Sequence, residues 1–456
     1  MSRTVVVVGG GITGLSCAYE LRKAGARAVL LEASDRLGGK ILSDPVCGTV
    51  FEGGPDSFVT NKPWAVDLIR ELGMEKDLLC TDRLKRSVRV LTRGRLRSYP
   101  EGLMLLAPTM MIPFLRSDFM PWKDKLRMAA EPLVPVGDPE ADESLAQFCR
   151  RRFGEEALET LVGPILAGIH AGDPERLSLQ STFPQLKELE QRRGSITRGM
   201  LAMRGRTRVP DGLTLFVTLA GGLSRIVDAL RERSRGVETR LKTPAESSER
   251  AGPNWRVGGV EADAVVLAAP AREAAKLVPW DGPLAAELSG VEYSSTAVVG
   301  LFYSGKVIPP GLDGHGFVLD RRERRRLLAA TFSSSKFPGR APEDKTVIRC
   351  FLGGAGREHM VSGPDQGIIA SAMHEMRSLL GLSKDPVDAR VYRWPEANPQ
   401  YNVGHEARLR RIAEGLVRHP GLVLAGSSYR GVGLPECIRS GREAAKKALA
   451  GESGVC

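Results

Sequence analysis

The stretch "VVVVGGGITGLSCAYELRKAGARAVLLEASDRLGGK", residues 5–40, decides the fold. Four valines at 5–8 make a run of buried-strand type. Gly9, Gly11 and Gly14 then supply G-x-G-x-x-G, and Leu15, Ala18 and Leu21 give the helix that follows an apolar face. Such a turn lets the backbone approach a pyrophosphate, and the helix start offers unpaired N–H groups and the positive end of its dipole. Residues 28–31 predict a second strand that ends at Glu32, 21 residues past Gly11, where a carboxylate can accept both hydroxyls of an unphosphorylated adenosine ribose. A glycine turn alone is a weak signal. Strand, turn, helix and acid in this order predict a dinucleotide site on a Rossmann-like α/β domain.

A second glycine pair, Gly38-Gly39 after Arg36 in "EASDRLGGK", narrows the dinucleotide. It resembles flavoproteins of the amine-oxidase and glutathione-reductase type, in which the backbone after the second strand also passes close to a large cofactor, and it implies FAD. "EGGPDSF", with Gly54, Pro55, Asp56 and Ser57, extends that cradle. At the far end, "LVLAGSSYRGVGLPECIRSGREAAKKALAG" predicts a strand over 422–425, a loop with Gly426, Gly431 and Gly433, and a helix with Pro435 in its first turn. With residues 432–434 under an isoalloxazine, that helix start faces the flavin edge where negative charge develops on reduction. No cysteine or histidine is placed for covalent attachment, so non-covalent FAD is expected.

Composition sets outer limits. The 456 residues are 42% hydrophobic and 26% charged, enough for two or three domains with a buried core. No apolar stretch reaches the length of a spanning helix, and the N-terminus runs into a strand without a basic-then-apolar leader, so a cytoplasmic protein is expected. The seven cysteines never form C-x-x-C and the six histidines never pair at i, i+4, a pattern that predicts reduced thiols and no metal site. A net charge of +11 suits an anionic substrate or an anionic lipid surface without choosing between them.

The interior reads as insertions into a discontinuous nucleotide domain. Residues 215–233 and 263–278 each pair a strand with a helix and return to that domain. Residues 83–207 are mostly helical in pattern, with 143–169 the clearest amphipathic run, and 291–352 alternate like strands. The expected class is α/β plus α+β. The FAD-binding domain is expected over 1–62, 208–275 and 391–456, an antiparallel-sheet substrate domain over 63–84 and 276–390, and a helical membrane-associating insertion over 85–207. The stretch 83–97 carries seven basic and no acidic residues, and it precedes an apolar run at 102–114 broken by Pro108 and Pro113. With Phe119 and Trp122 beside Arg116, Lys123, Lys125 and Arg127, the segment 102–128 suits peripheral adsorption to the inner face of a membrane; lining a buried pocket is the competing reading. "RRERRR" at 321–326 lacks interleaved aromatics, so a solvated loop is expected and no nucleic-acid partner.

The runs "VVGGGITGLSCAYEL", "LEASDRLGGKI", "EGGPDSF", "RRRFGEEALETLVGPILAGIHAGDPERLSLQSTFPQL", "VYRWPEANPQYNVGH" and "SSYRGVGLPECIRSG" together resemble the oxygen-dependent porphyrinogen oxidases, the FAD enzymes that make protoporphyrin or coproporphyrin for haem. The likeness spans nearly the whole chain. It implies cofactor contacts at Gly9, Gly10, Gly11, Ile12, Thr13, Gly14, Glu32, Ala33, Lys40, Gly54, Pro55, Asp56, Ser57, Ala245, Trp394, Val432, Gly433 and Leu434. It also implies a macrocycle pocket near Gly168, His170 and Gly172, with Lys62, Arg176 and Arg393 as candidates for the propionates and backbone carbonyls around 168–172 for the pyrrole N–H groups. His170 stands where a tyrosine or phenylalanine is commoner, and Glu436 replaces an aspartate. The implied reaction is six-electron oxidation of protoporphyrinogen or coproporphyrinogen by O2, giving H2O2, with hydride leaving a bridge carbon and the protein holding the macrocycle in place. The lipid-seeking insert tilts the expectation slightly towards protoporphyrinogen. Expected partners are the porphyrinogen, O2 and an anionic membrane surface, with a homodimer allowed. A flavin amine oxidase, a carotenoid-type desaturase or an FAD-free prenyl chaperone shares the two chain ends and stays open as an alternative.

Overall fold

The computed structural model describes residues 3–83, 88–100, 102–104, 106–203, 209–312 and 314–456. Its centre is a six-stranded parallel sheet. In spatial order the strands are Glu238–Arg240, Arg27–Leu31, Thr4–Val8, Ala264–Leu267, Leu422–Leu424 and Gly454–Val455. Both faces are covered, which is why its inner strands are runs of valine, leucine and alanine without alternation. The helices Ile12–Lys23 and Leu434–Ala450 lie on one face with Leu15, Cys17, Ile438 and Ala444 inward. The other face holds Ala271–Leu277, Gly282–Ser289, His405–Leu416 and a three-stranded antiparallel sheet that buries Trp255.

A second, seven-stranded sheet carries Asp388–Gln400 at one edge, followed by Glu292–Ser304, Lys345–Gly353, Ala329–Phe332, Gly316–Leu319, Val88–Thr92 and Arg95–Ser98. It is antiparallel except where Gly316–Leu319 meets Val88–Thr92. Helix Asp365–Leu380 packs on one face through Ile368, Ala372 and Met376. The other face meets the hairpin of Ser43–Val46 and Thr49–Glu52, where Phe51 stacks on Tyr392.

Several boundaries differ from the sequence expectation. Residues 88–98 are a hairpin of the second sheet, not part of a helical insertion; of the rest of the basic stretch, Arg83 donates to the Gly212 carbonyl and 84–87 lie outside the described residues. Residues 63–84 are expected with the substrate sheet, but helix Pro63–Glu71 buries Ala65, Leu68 and Ile69 in the core on one face of the parallel sheet, and Leu78–Cys80 pairs with Phe216–Leu219. Helix Gly282–Ser289 likewise packs on the parallel sheet, and residues 391–400 belong to the antiparallel one. The amphipathic run 143–169 is broken at Gly154, whose φ of +95° ends Leu145–Arg152 before a second helical stretch starts.

The segment 102–128 is half core. Phe114 and Phe119 are fully buried, while Ile112, Trp122 and Leu126 are 65%, 61% and 59% exposed. Lys125 is buried as well, donating to the Leu115 carbonyl at 2.8 Å, and Arg127 donates to the carbonyls of Arg151 and Arg152. Arg116 and Lys123 therefore remain as the exposed cations of that segment. Leu105 lies outside the described residues. No helix among the described residues is long and apolar enough to cross a membrane. Residues 321–326 form a short 3-10 turn and loop between two strands, tied down by pairs such as Arg322 with Asp320 and Glu156.

Candidate active site

The glycine turn follows Thr4–Val8, an inner strand paired on both sides in the parallel sheet. A Cβ on Gly14 would lie 1.9 Å from the Gly9 carbonyl oxygen, so helix Ile12–Lys23 can start this close to the strand only with glycine there. A Cβ on Gly11 would meet nothing within 4 Å, and the helix start carries no side-chain cap, which leaves open space in front of free N–H groups. Glu32 ends the second strand. Its carboxylate accepts from the Gly10 N–H at 2.6 Å and from the Ser34 N–H and hydroxyl at 2.8 and 2.7 Å. Thr243 donates to the Glu32 carbonyl at 2.9 Å, which brings the segment containing Ala245 beside Ala33. The second glycine pair is explained by packing: a Cβ on Gly39 would be 3.2 Å from the Gly11 Cα, so the two glycine turns lie against each other.

The cradle continues across the cleft. A Cβ on Gly54 would fall 1.8 Å from the Lys40 carbonyl oxygen, and Trp394 donates its indole N–H to the Gly53 carbonyl at 2.7 Å. Asp56 is held by Lys336 at 2.9 Å and Arg349 at 3.1 Å. Burial opposes its ionisation, but the two cations hold the carboxyl well below the usual carboxylate range. At the opposite wall, helix Leu434–Ala450 starts at Gly433 with no side-chain cap. Its third residue, Glu436, pairs with Lys62 and keeps Oε2 without a partner among the described residues. An open glycine turn, an acid at its rim, a second cradle strand and an uncapped helix start fit a dinucleotide as long as FAD. Val432 lies with Gly433 and Leu434 at that helix start.

The candidate substrate residues separate. His170 is buried, its ring edge-on to Phe183 and Tyr401 at centroid distances of 6.2 and 6.0 Å, and its Nδ1 has no partner among the described residues. Burial, and then the nearby Lys62 charge, push its pKa down to about 4, so it is neutral at pH 7. Gly168 faces open space, whereas a Cβ on Gly172 would meet Gln400 at 2.5 Å. The carbonyls of His170 and Ala171 are already taken by Gln400, Ser294 and Ala355, so those two do not await pyrrole N–H groups. Arg176 pairs with Glu292 at 2.6 Å, both more than half exposed. Arg393 pairs with Asp365 and donates to the Val361 and Gly363 carbonyls. It follows Tyr392 and precedes Trp394 on one strand, so it must project from the opposite face of the sheet, away from the cradle. Of the three expected propionate cations, Lys62 alone stands near both His170 and the start of helix Leu434–Ala450. Arg349 and Lys336 were not anticipated; the one sequence signal was Asp56, a carboxylate in an apolar glycine loop that burial would oblige to find a cation.

Against known proteins, residues 12–449 match the model of the flavin containing amine oxidoreductase family. The chain belongs to that family. It is 34% identical over 461 residues to a coproporphyrinogen III oxidase of Bacillus subtilis, covering 98% of this chain and 97% of that protein. It is also 34% identical over 490 residues to the human protoporphyrinogen oxidase, covering 99% of each. A crystal structure from Exiguobacterium sp. 255-15 superposes with a TM-score of 0.88 at 33% identity, again over 99% of both chains. The chain is thus an FAD oxidoreductase with the fold of this family.

Proposed function

We propose that the chain oxidises a porphyrinogen to the porphyrin by six electrons, with O2 as acceptor and H2O2 as product. The observation that carries the proposal is the conjunction of near-complete matching to proteins named for that activity with an open glycine turn, an uncapped second helix start and, linked to that start through Lys62, a buried, aromatic-walled histidine.

Bound FAD supplies the hydride acceptor and the route to O2. The chain's own residues do the rest. Gly9, Gly10, Gly11, Ile12, Thr13 and Gly14 hold the pyrophosphate, Glu32 the ribose, with Ala33 and Ala245 at the adenine edge. Lys40, Gly54, Pro55, Asp56, Ser57 and Trp394 line the far wall. The uncapped start of Leu434–Ala450, with Val432 and Gly433 before it, places positive potential where the reduced ring carries charge. Lys62 holds a substrate carboxylate, exchanging it against Glu436, while the buried, neutral His170 packs with Phe183 and Tyr401 as part of the pocket wall. No strong base is required, because the bridge hydrogens are activated by the flanking pyrroles.

In this reading, residues 3–83 together with 209–291 and 401–456 form the nucleotide-binding part. Residues 88–98, 292–312 and 314–400 form the substrate sheet, and 102–104 with 106–203 the helical part. The protein is placed in the cytoplasm, adsorbed through Ile112, Trp122 and Leu126 to the inner face of the membrane, with Arg116 and Lys123 towards anionic lipid. Aerobic incubation of the FAD-loaded protein with protoporphyrinogen IX and coproporphyrinogen III tests the function. Porphyrin fluorescence with stoichiometric H2O2 is expected, and oxidation of an amine or a carotene in its place would contradict it.

A further inference from the structure

Residues 53–57 are clamped from the seven-stranded sheet by two side chains. Trp394 donates to the Gly53 carbonyl at 2.7 Å, and Arg349 Nη2 donates to the Gly54 carbonyl at 2.5 Å. Arg349 Nη1 faces Asp56 at 3.1 Å, and Lys336 donates to Asp56 at 2.9 Å and to Ser57 Oγ at 3.1 Å. Ser57 in turn donates to Asp56 at 2.7 Å. Behind this group lies a second buried pair, Arg340 with Glu52. Arg349 is 2% exposed, and its Nε has no partner among the described residues. Three cations therefore face two carboxylates in the protein interior, immediately under the loop that lines the cofactor cleft. Within this buried group of Arg349, Lys336, Arg340, Asp56 and Glu52 the cations outnumber the carboxylates by one, at low dielectric, where charge reaches further than in water.

We propose that Arg349 is a positioning residue for the cofactor loop and that the net positive charge of its cluster with Asp56 and Lys336 raises the reduction potential of FAD. The inference rests on the cofactor reading above. The guanidinium is suited to the task because its planar fork serves the Gly54 carbonyl and the Asp56 carboxylate at once, which an ammonium cannot do. The Arg349 N–H on the Gly54 carbonyl oxygen also offsets part of that oxygen's negative potential, so the loop presents less of it to a ring gaining electrons.

The test measures the two-electron midpoint potential of the FAD-loaded protein, its affinity for FAD and its thermal midpoint. Arg349→Met is expected to make FAD reduction at least tenfold less favourable, a fall of about 30 mV. Asp56→Asn is expected to move the potential in the opposite direction. Arg349→Lys keeps the charge and is expected to hold the potential near wild type while weakening FAD binding. A purely structural role would move the thermal midpoint of all three and leave the potential unchanged. A folded, FAD-loaded Arg349→Met protein with an unshifted potential overturns the proposal, as do shifts of the same sign for Arg349→Met and Asp56→Asn. Should Arg349→Met not fold, Lys336→Met removes the other cation from Asp56, and it must lower the potential likewise or the proposal falls. Wild-type protein that binds no FAD would show that the cofactor reading itself is at fault.

Discussion

The Glu32 carboxylate accepts the Gly10 amide at 2.6 Å, tying the end of the second strand to the glycine turn beside it. One carboxylate thereby fixes the turn, and in the proposed function it also holds the ribose. Replacing Glu32 by alanine removes a charge-assisted acceptor, a change of about 1.5–3 kcal/mol. FAD affinity should fall by roughly ten- to a hundredfold in a titration of apoprotein followed by flavin fluorescence. An unchanged dissociation constant would remove Glu32 from the cofactor site.

Lipid adsorption should depend on the exposed side chains of segment 102–128 and not on its buried ones. Serine at Ile112, Trp122 and Leu126 together removes most of the apolar surface that segment shows to solvent. Binding to anionic vesicles should drop on the order of a hundredfold, with a further loss at high salt. Phe114→Ser, by contrast, opens a hole in a fully buried position and should cost about 3–5 kcal/mol of fold stability. Vesicle binding that is indifferent to the triple replacement would contradict the adsorption surface.

His170 makes stability depend on pH. Its pKa is about 4 in the fold against 6.5 as an ordinary value, so between these the unfolded chain binds a proton that the folded chain does not. Stability therefore rises with pH through that window and is lost as acid is added, approaching about 3 kcal/mol below the lower value. His170→Phe, which suits the neighbouring Phe183 and Tyr401, should flatten the dependence of the melting temperature on pH between the two values. Equal slopes for the two proteins would show that His170 is not the group responsible.

The nucleotide half of the fold was legible because its signals are local: four valines, a glycine turn, an apolar helix face and an acid all lie within 36 consecutive residues. The substrate half was less so. Residues 388–400 contain Pro395 and Pro399, which argue against a strand, yet they form one at the sheet edge where proline is tolerated. With that strand unrecognised, the parity that sends Arg393 away from Trp394 was invisible, and Arg393 stood as a propionate candidate. The hairpin 88–98 was hidden in a basic stretch because its strands are short and depend on pairing with residues more than 200 positions later. Arg349 could not have been assigned to Asp56 from sequence, since any of many arginines could have met that carboxylate and only the register of Lys345–Gly353 against its neighbours selects one.

The most direct measurement is a single anaerobic turnover. FAD-loaded protein mixed without O2 with increasing excess of a porphyrinogen, either protoporphyrinogen IX or coproporphyrinogen III, should lose its oxidised-flavin absorbance at a rate that saturates with substrate, and admission of air should restore the absorbance with H2O2 formed. Flavin that stays oxidised with both porphyrinogens, yet bleaches with an amine, would contradict the account.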